Sequence, residues 1–270
     1  MGNNQRYFSR LLPLSILLVM VSIALRGYGL VFETQWKPMV LSLAFIVLCI
    51  LLYVPLYDCF FEHLQYHTEF SQEKRYKFKV EGKSGIITVA KNDRVYGGGA
   101  YDGAINTDPF NSINSIDRAY MVAALHPKPE KMLMIGLSGG AWAKVMMDYS
   151  RVKELTIVEI NPRYMEIIRK YPEIARILKD KKVKIIIDDG RRWLRMNPDR
   201  KFDFIVMNSA YHWRQNSTNI HSVEFLQLCK KSLHEHGVIY MNTTKSRDII
   251  YTAARVFSHV TDYHGIVVAG

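Results

Sequence analysis

The sequence predicts an α/β protein. A doubly wound, mostly parallel sheet is preceded by a small antiparallel β unit and an N-terminal hairpin of two transmembrane helices. Three observations carry this. Met132–Pro162 reads MLMIGLSGGAWAKVMMDYSRVKELTIVEINP, which is strand, glycine turn, helix, then a strand with an acid at its tip. Beyond it, short apolar runs alternate with helical stretches, as in a parallel sheet covered on both faces. Before it, two long apolar runs flank a short polar turn.

Taken in order, residues 1–10 are polar and their only charges are Arg6 and Arg10. Leu11–Leu25 is almost wholly apolar, Arg26 interrupts it, and Gly27–Phe32 continues it. Met39–Tyr57 is a second apolar run without a charge. A bilayer core takes about 20 apolar residues per helix. The second run meets this, and the first does if Arg26 snorkels to the interface. A signal peptide is the rival reading of the first run, but it lacks a small-residue cleavage site and a second span follows. Arg6 and Arg10 on one side, and Lys74, Arg75, Lys77 and Lys79 on the other, place both ends in the cytoplasm by the positive-inside rule. The expected location is a bacterial inner membrane, with the rest of the chain cytoplasmic. Asp58–Ser71 reads as a juxtamembrane segment lying along the interface.

From Arg75 the period changes to two. Tyr76, Phe78 and Val80 alternate with basic residues, Gly82–Gly85 turns, and Ile86–Ala90 and Arg94–Tyr96 follow as strands. Ser115–Leu125 reads as one helix, ended by His126-Pro127. Further strands are expected at Met132–Ile135, Leu155–Val158, Val183–Ile187, Phe204–Met207, Val238–Asn242 and Gly265–Ala269. Helices are expected near Ala141–Tyr149, Arg163–Lys170, Gly190–Met196, Ser222–Leu233 and Asp248–His259. The chain thus divides into 1–71 (hairpin and juxtamembrane segment), 72–106 (β unit) and 107–270 (nucleotide-binding domain).

Net charge is +11, and all of it falls on residues 71–270, because the earlier residues hold four basic and four acidic side chains. For a membrane-tethered domain, attraction to anionic lipid explains this first. The basic residues are scattered rather than clustered into a stripe, so no nucleic-acid partner is expected. Cys49, Cys59 and Cys229 show no metal-ligand spacing, no histidine pairing suggests a metal, and the three fit a reducing compartment.

Three strand ends carry the chemistry. Gly136, Ser138, Gly139 and Gly140 let the turn pass close to a nucleotide at a helix N-terminus. Glu159, about 20 residues on, can accept hydrogen bonds from both ribose hydroxyls. Asp188-Asp189-Gly190 ends the next strand, and Asp189 can accept from an adenine amino group. Around them, Asn208 ends a strand, and Tyr211, His212, Trp213 and Arg214 follow on a loop that could cover the site. Tyr101, Asp102 and Tyr120 approach from the other side. His212 could act as a general base near neutral pH or simply be solvated. Trp213 could stack on substrate or simply pack.

With these residues in place, the chain resembles the spermidine synthase (polyamine aminopropyltransferase) family, especially its membrane-attached members. That family has a Rossmann-like, class I methyltransferase-type fold. The resemblance covers roughly residues 75–270. It rests on the β unit with DGAIN (Asp102–Asn106), IGLSGGA, VEINP, DDG and the strand ending in Asn208-Ser209. It implies S-adenosylmethionine or its decarboxylated form as the bound nucleoside. Three departures stand out. The family's glycine turn usually carries an Asp that pairs with the aminopropyl ammonium of decarboxylated S-adenosylmethionine, and here that position is Gly139. The Asp that orients and deprotonates the attacking amine is Asn208. The DGxxQ glutamine is Asn106. An amine nucleophile must lose a proton, and Asn cannot take it.

Two functions follow. The first is a membrane-anchored transferase using S-adenosylmethionine or a relative, with Asn208, Asp102, His212 and Tyr211 around the reacting atoms. Loss of the ammonium-pairing acid favours ordinary S-adenosylmethionine, which keeps its carboxylate. The second is a structural subunit of a larger membrane complex that reuses the fold, with no cofactor at all. Neither reading predicts spermidine synthesis at a useful rate.

Overall fold

In the computed structural model, apolar strands without alternation lie in the middle of a sheet buried on both faces, as such runs require. The structure describes residues 36–208, 211–214, 217–263 and 265–270, with side chains for all of these except 36–42 and 54–56. The chain forms two compact units, Met1–Arg75 and Tyr76–Gly270.

In the first unit, Trp36–Tyr57 is a helix of 22 residues, and Phe60–Tyr66 is a shorter one. Cys59, left-handed at φ 55°, joins them. Arg75 Nη2 donates to Asp58 Oδ1 at 2.5 Å, so the unit's last residue is tied back to the end of the long helix. Described side chains in the long helix are those of 43–53 and Tyr57, and Leu43, Phe45, Leu48 and Leu51 stand exposed around it. Among the described residues no helix is long and apolar enough to cross a membrane. The first run of the expected hairpin lies outside the described residues. The expected juxtamembrane segment contains Phe60–Tyr66 and two single turns at His67–Glu69 and Gln72–Lys74.

The second unit opens with a four-stranded antiparallel meander, β1 (Tyr76–Gly82), β2 (Gly85–Ala90), β3 (Arg94–Gly97) and β4 (Ala100–Ala104). Its alternating pattern buries Val80, Ile87, Val89 and Val95 on one face, where they pack against Tyr164 and Ile167 from beyond the glycine turn. The meander and the region after the glycine turn therefore share a core.

The larger sheet has seven strands: β5 (Lys131–Ile135), β6 (Glu154–Glu159), β7 (Val183–Ile187), β8 (Phe202–Met207), β9 (Leu233–Asn242), β10 (Val260–Tyr263) and β11 (Ile266–Ala269). Their order is β10-β11-β9-β8-β5-β6-β7. The run from β9 to β7 is parallel, and β11 is antiparallel to both its neighbours. Met132, Met134, Ile157 and Phe204 pack one face against the helix Ala141–Asp148. Leu133, Ile135, Ile205 and Met241 pack the other against Trp193, Phe225 and Leu226.

The structure differs from the sequence reading in five places, the first being β4 (Ala100–Ala104), a strand the sequence reading lacks. The helix expected over Asp248–His259 is Arg247–Ala254, and the chain then forms β10, a strand the sequence reading lacks. The expected Ser115–Leu125 helix is two single turns, Asp117–Tyr120 and Val122–Leu125. The helix expected over Arg163–Lys170 is cut to Tyr164–Ile168, with a new turn at Pro172–Ala175. The strand expected from Val238 begins at Leu233. In each case helical or strand propensity yields to the pairing and packing available locally.

Candidate functional site

The site lies at the carboxyl ends of β5, β6, β7 and β8, where an open parallel sheet leaves a crevice. The glycine turn follows β5. Gly136 sits at φ +88°, and a Cβ there would come within 3.3 Å of the Asn208 carbonyl oxygen. The turn therefore passes tightly beside the end of β8. Ser138 is left-handed at φ 48°, and its Oγ donates to the Asp102 carbonyl at 2.6 Å, tying the turn to β4.

Glu159, at the end of β6, is 4% exposed. Its Oε2 accepts from the Leu137 N–H at 2.6 Å and its Oε1 from the Asn161 N–H at 2.7 Å. The expected ribose acid is thus first an anchor of the glycine turn. Each carboxylate oxygen keeps a further lone pair, so these bonds leave acceptor capacity for hydroxyls. Burial pushes its pKa up to about 7, against the pull of the backbone N–H groups. Asp189 caps the helix Gly190–Met196 by accepting from the Arg192 N–H at 2.9 Å. Asp188 accepts from Arg192 Nε at 2.6 Å, and that guanidinium holds the Asp188 carboxyl below the usual carboxylate range.

Asp102, on β4, lies in the interior of the site. Its carboxylate accepts from the Tyr164 hydroxyl and, at 3.3 Å, from Arg214 Nη1. Burial raises its pKa, opposed by both partners. Arg214 also donates to the Gly97 carbonyl, so the loop after β8 is pinned onto the β meander.

Asn208 closes β8, and its Oδ1 accepts from Asn242 Nδ2 at 3.5 Å. Asn242 Oδ1 accepts from the Thr244 N–H at 3.0 Å. Thr244 Oγ1 in turn lies 2.8 Å from His212 Nδ1 and accepts from the His212 N–H at 3.2 Å. Tyr211 stacks on Trp213 at 5.0 Å between ring centroids.

Two cavities meet here. The larger, about 640 Å³, is lined by Gly136, Glu159, Asp188, Asp189, Trp213 and Arg214 among others. The smaller, about 400 Å³, is lined by Tyr101, Gly139, Gly140, Tyr211, Asn242 and Lys245 among others. Asp102, Ser138 and Asn208 line both. The structure therefore brings the glycine turn, Glu159, Asp189, Asp102, Asn208 and Tyr211 together. His212 lines neither cavity, and Tyr120 is turned to the Thr107 carbonyl, to which its hydroxyl donates at 2.8 Å.

Gly139 explains itself sterically. A Cβ there would lie 2.9 Å from Ile105 Cγ1 and 3.2 Å from Val95 Cγ2. Apolar side chains fill the space a carboxylate would need. Two residues of the site, Arg214 as the partner of Asp102 and Lys245 on the smaller cavity, carry no motif in the sequence. Lys245 stands after Asn242 and the only cue is that β9 ends there.

A parallel sheet with one antiparallel strand, a glycine turn after β5 and acids on successive strand ends define an α/β fold of the methyltransferase type. The Spermine/spermidine synthase domain matches residues 117–263, over half of the chain, and the chain belongs to that family. It is 30% identical over 144 residues to a polyamine aminopropyltransferase of Agathobacter rectalis, covering 52% of this chain and 49% of the relative. A polyamine aminopropyltransferase of Streptococcus uberis is 36% identical over 117 residues, covering 43% of this chain and 40% of the relative. The matched region thus spans half or less of these relatives. Among solved structures, a spermidine synthase in complex with the transition state analogue AdoDATO superposes with a TM-score of 0.59 at 18% identity, covering 72% of each chain. The Thermotoga maritima spermidine synthase gives 0.57 at 18% identity with the same coverage. These structural likenesses establish the shared fold.

Proposed function

We propose that the larger cavity binds the adenosine part of S-adenosylmethionine or a close relative, and that the chain transfers a group from that donor without making spermidine at a useful rate. One observation carries the reading: two cavities meet at Asp102, Ser138 and Asn208, which is the arrangement a donor and an acceptor need. The volume of the larger cavity falls in the ordinary range for small-molecule sites. Glu159 would receive the ribose hydroxyls, Asp189 the base, and Gly136 leaves the backbone close enough for contact. When bound, such a donor supplies an electrophilic carbon next to its sulfonium.

The acceptor side departs from aminopropyl transfer in three ways. Asn208 cannot take a proton. Asp102 is committed to Tyr164 and Arg214. His212 lines neither cavity, and its Nδ1 faces Thr244. No carboxylate is left uncommitted to hold and deprotonate a diamine, which supports a different acceptor.

Mass spectrometry of the supernatant after denaturing the purified chain tests the first half of the reading. A retained adenosyl compound supports it. Absence of any nucleoside, together with no measurable binding of S-adenosylmethionine, would move the preference to a structural subunit of a membrane complex.

We also infer a membrane hairpin over residues 11–57 with both ends in the cytoplasm. Two apolar runs with basic flanks support it, as do the bare apolar side chains around the helix Trp36–Tyr57. Reporter fusions after residues 35 and 75 test it. A cytoplasmic signal at 35 or an external one at 75 rules it out.

A further inference from the structure

The charges that line the smaller cavity are the wrong ones for a polyamine. Its charged lining residues are Asp102, Arg118 and Lys245. Asp102 is the single carboxylate, and it is already held by Tyr164 and Arg214 from the side of the larger cavity. Where a donor ammonium would look for an acid, Gly139 is packed against Ile105 and Val95. Lys245 is exposed, and among the described residues it forms no ion pair. It follows Thr244 through two successive left-handed residues, φ 49° and 67°, so the chain turns sharply at the cavity's edge. A dication placed here would meet two cations and a neutralised carboxylate. A carboxylate or phosphate would meet an uncommitted ammonium.

We propose that the smaller cavity binds an anionic group of the ligand, a carboxylate or phosphate, with Lys245 as its counter-charge and Arg118 adding positive field. The proposal rests on the reading of the larger cavity as the nucleoside site, and it names the chemistry selected beside it. The anion has two possible sources: the α-carboxylate of S-adenosylmethionine, or an acidic acceptor.

Calorimetry on the full chain separates them. The probes are S-adenosylmethionine, decarboxylated S-adenosylmethionine, methylthioadenosine (which lacks the charged tail), glutarate and putrescine. If the donor supplies the anion, S-adenosylmethionine binds about tenfold or more tightly than its decarboxylated form, the size of one hydrogen bond to a charge. That ratio falls towards unity in Lys245→Gln and inverts in Lys245→Glu, with methylthioadenosine as the control ligand. If the acceptor supplies it, the two donors bind alike and glutarate binds the methylthioadenosine-loaded chain until Lys245→Glu removes it. Tighter binding of the decarboxylated donor, binding of putrescine to the loaded chain, or affinities indifferent to both Lys245 substitutions would overturn the proposal. Failure of methylthioadenosine alone strikes the nucleoside reading instead, because glutarate titrated into the free chain still reports on Lys245.

Discussion

The two cavities share three lining residues yet are built on opposite terms. The larger keeps its acids: Glu159, Asp188 and Asp189 all line it, on the ends of β6 and β7. The smaller has Asp102 as its single carboxylate, with Asn208 at the end of β8, Gly139 filled from behind by Ile105 and Val95, and Lys245 at its edge. The larger cavity, the proposed nucleoside side, is therefore shaped by backbone geometry at the glycine turn. Glu159 holds the turn's Leu137 N–H and, just beyond its own strand, the Asn161 N–H. The smaller cavity, the proposed acceptor side, takes its character from single side chains such as Asn208 and Lys245. A family fold can keep the first and revise the second.

The largest effect this contrast predicts is on aminopropyl transfer. With putrescine and decarboxylated S-adenosylmethionine, release of methylthioadenosine should be slower than general-base catalysis permits by roughly 10²–10⁴-fold. Robust turnover that disappears in His212→Ala or Asp102→Asn would erase the contrast and restore a polyamine synthase.

On the retained side, Glu159 ties binding and stability together. Glu159→Ala should weaken S-adenosylmethionine binding by about 1–3 kcal/mol, the cost of a lost hydrogen bond to a charge or of donors left unpaired. An unchanged affinity by calorimetry would put the nucleoside elsewhere. The same residue makes stability depend on pH. Its folded pKa is raised to about 7 from an ordinary 4.5. Between those values the folded chain holds a proton that the unfolded chain has released, so stability present at low pH is lost as pH rises towards 7. The shift corresponds to roughly 3 kcal/mol. The melting temperature should decline across that window in the wild type and stay flatter in Glu159→Gln. Parallel profiles would mean the carboxyl titrates normally.

At the smaller cavity, Gly139→Asp introduces the acid that the resemblance implies for this position into space that is filled here. The new Cβ meets Ile105 and Val95, and overpacking of this kind costs about 1–3 kcal/mol. Denaturant titration should show the loss, and adding Ile105→Ala should recover part of it. A Gly139→Asp chain as stable as wild type would show that the pocket opens easily and that Ile105 and Val95 do not bar an acid there.

How much of this was legible in residues alone follows the range of the interactions. Met132–Ile135 read as a strand because a short unbroken apolar run suits the buried middle of a parallel sheet, and Gly136–Gly140 with Glu159 read as a nucleotide turn because spacing is local. β10 was not legible: Val260–Tyr263 becomes a strand only because β11 offers it an edge. The carboxylate of Asp102 was visible, but its partner Arg214 lies 112 residues away, and no pattern announces such a pair. The filled space at Gly139 was also invisible, since the side chains that fill it come from β3 and from just beyond β4. The absent acid could be read at once, and the reason it cannot simply be put back could not.

The smallest effect concerns the strut between the two regions. Ser138 Oγ donates to the Asp102 carbonyl at 2.6 Å, so the glycine turn and β4 are joined at a residue that lines both cavities. Ser138→Ala keeps a Cβ at φ 48° and removes only the hydroxyl, so its cost isolates the bond at about 0.5–1.5 kcal/mol. Ser138→Gly removes the same bond but relieves the left-handed backbone, a gain of comparable size. The glycine variant should therefore be more stable than the alanine variant in a urea titration, although both have lost the strut. If alanine matches wild type, water replaces the hydroxyl without loss and the two regions are not coupled through this bond. If glycine falls below alanine, left-handed backbone strain at Ser138 costs the fold nothing measurable.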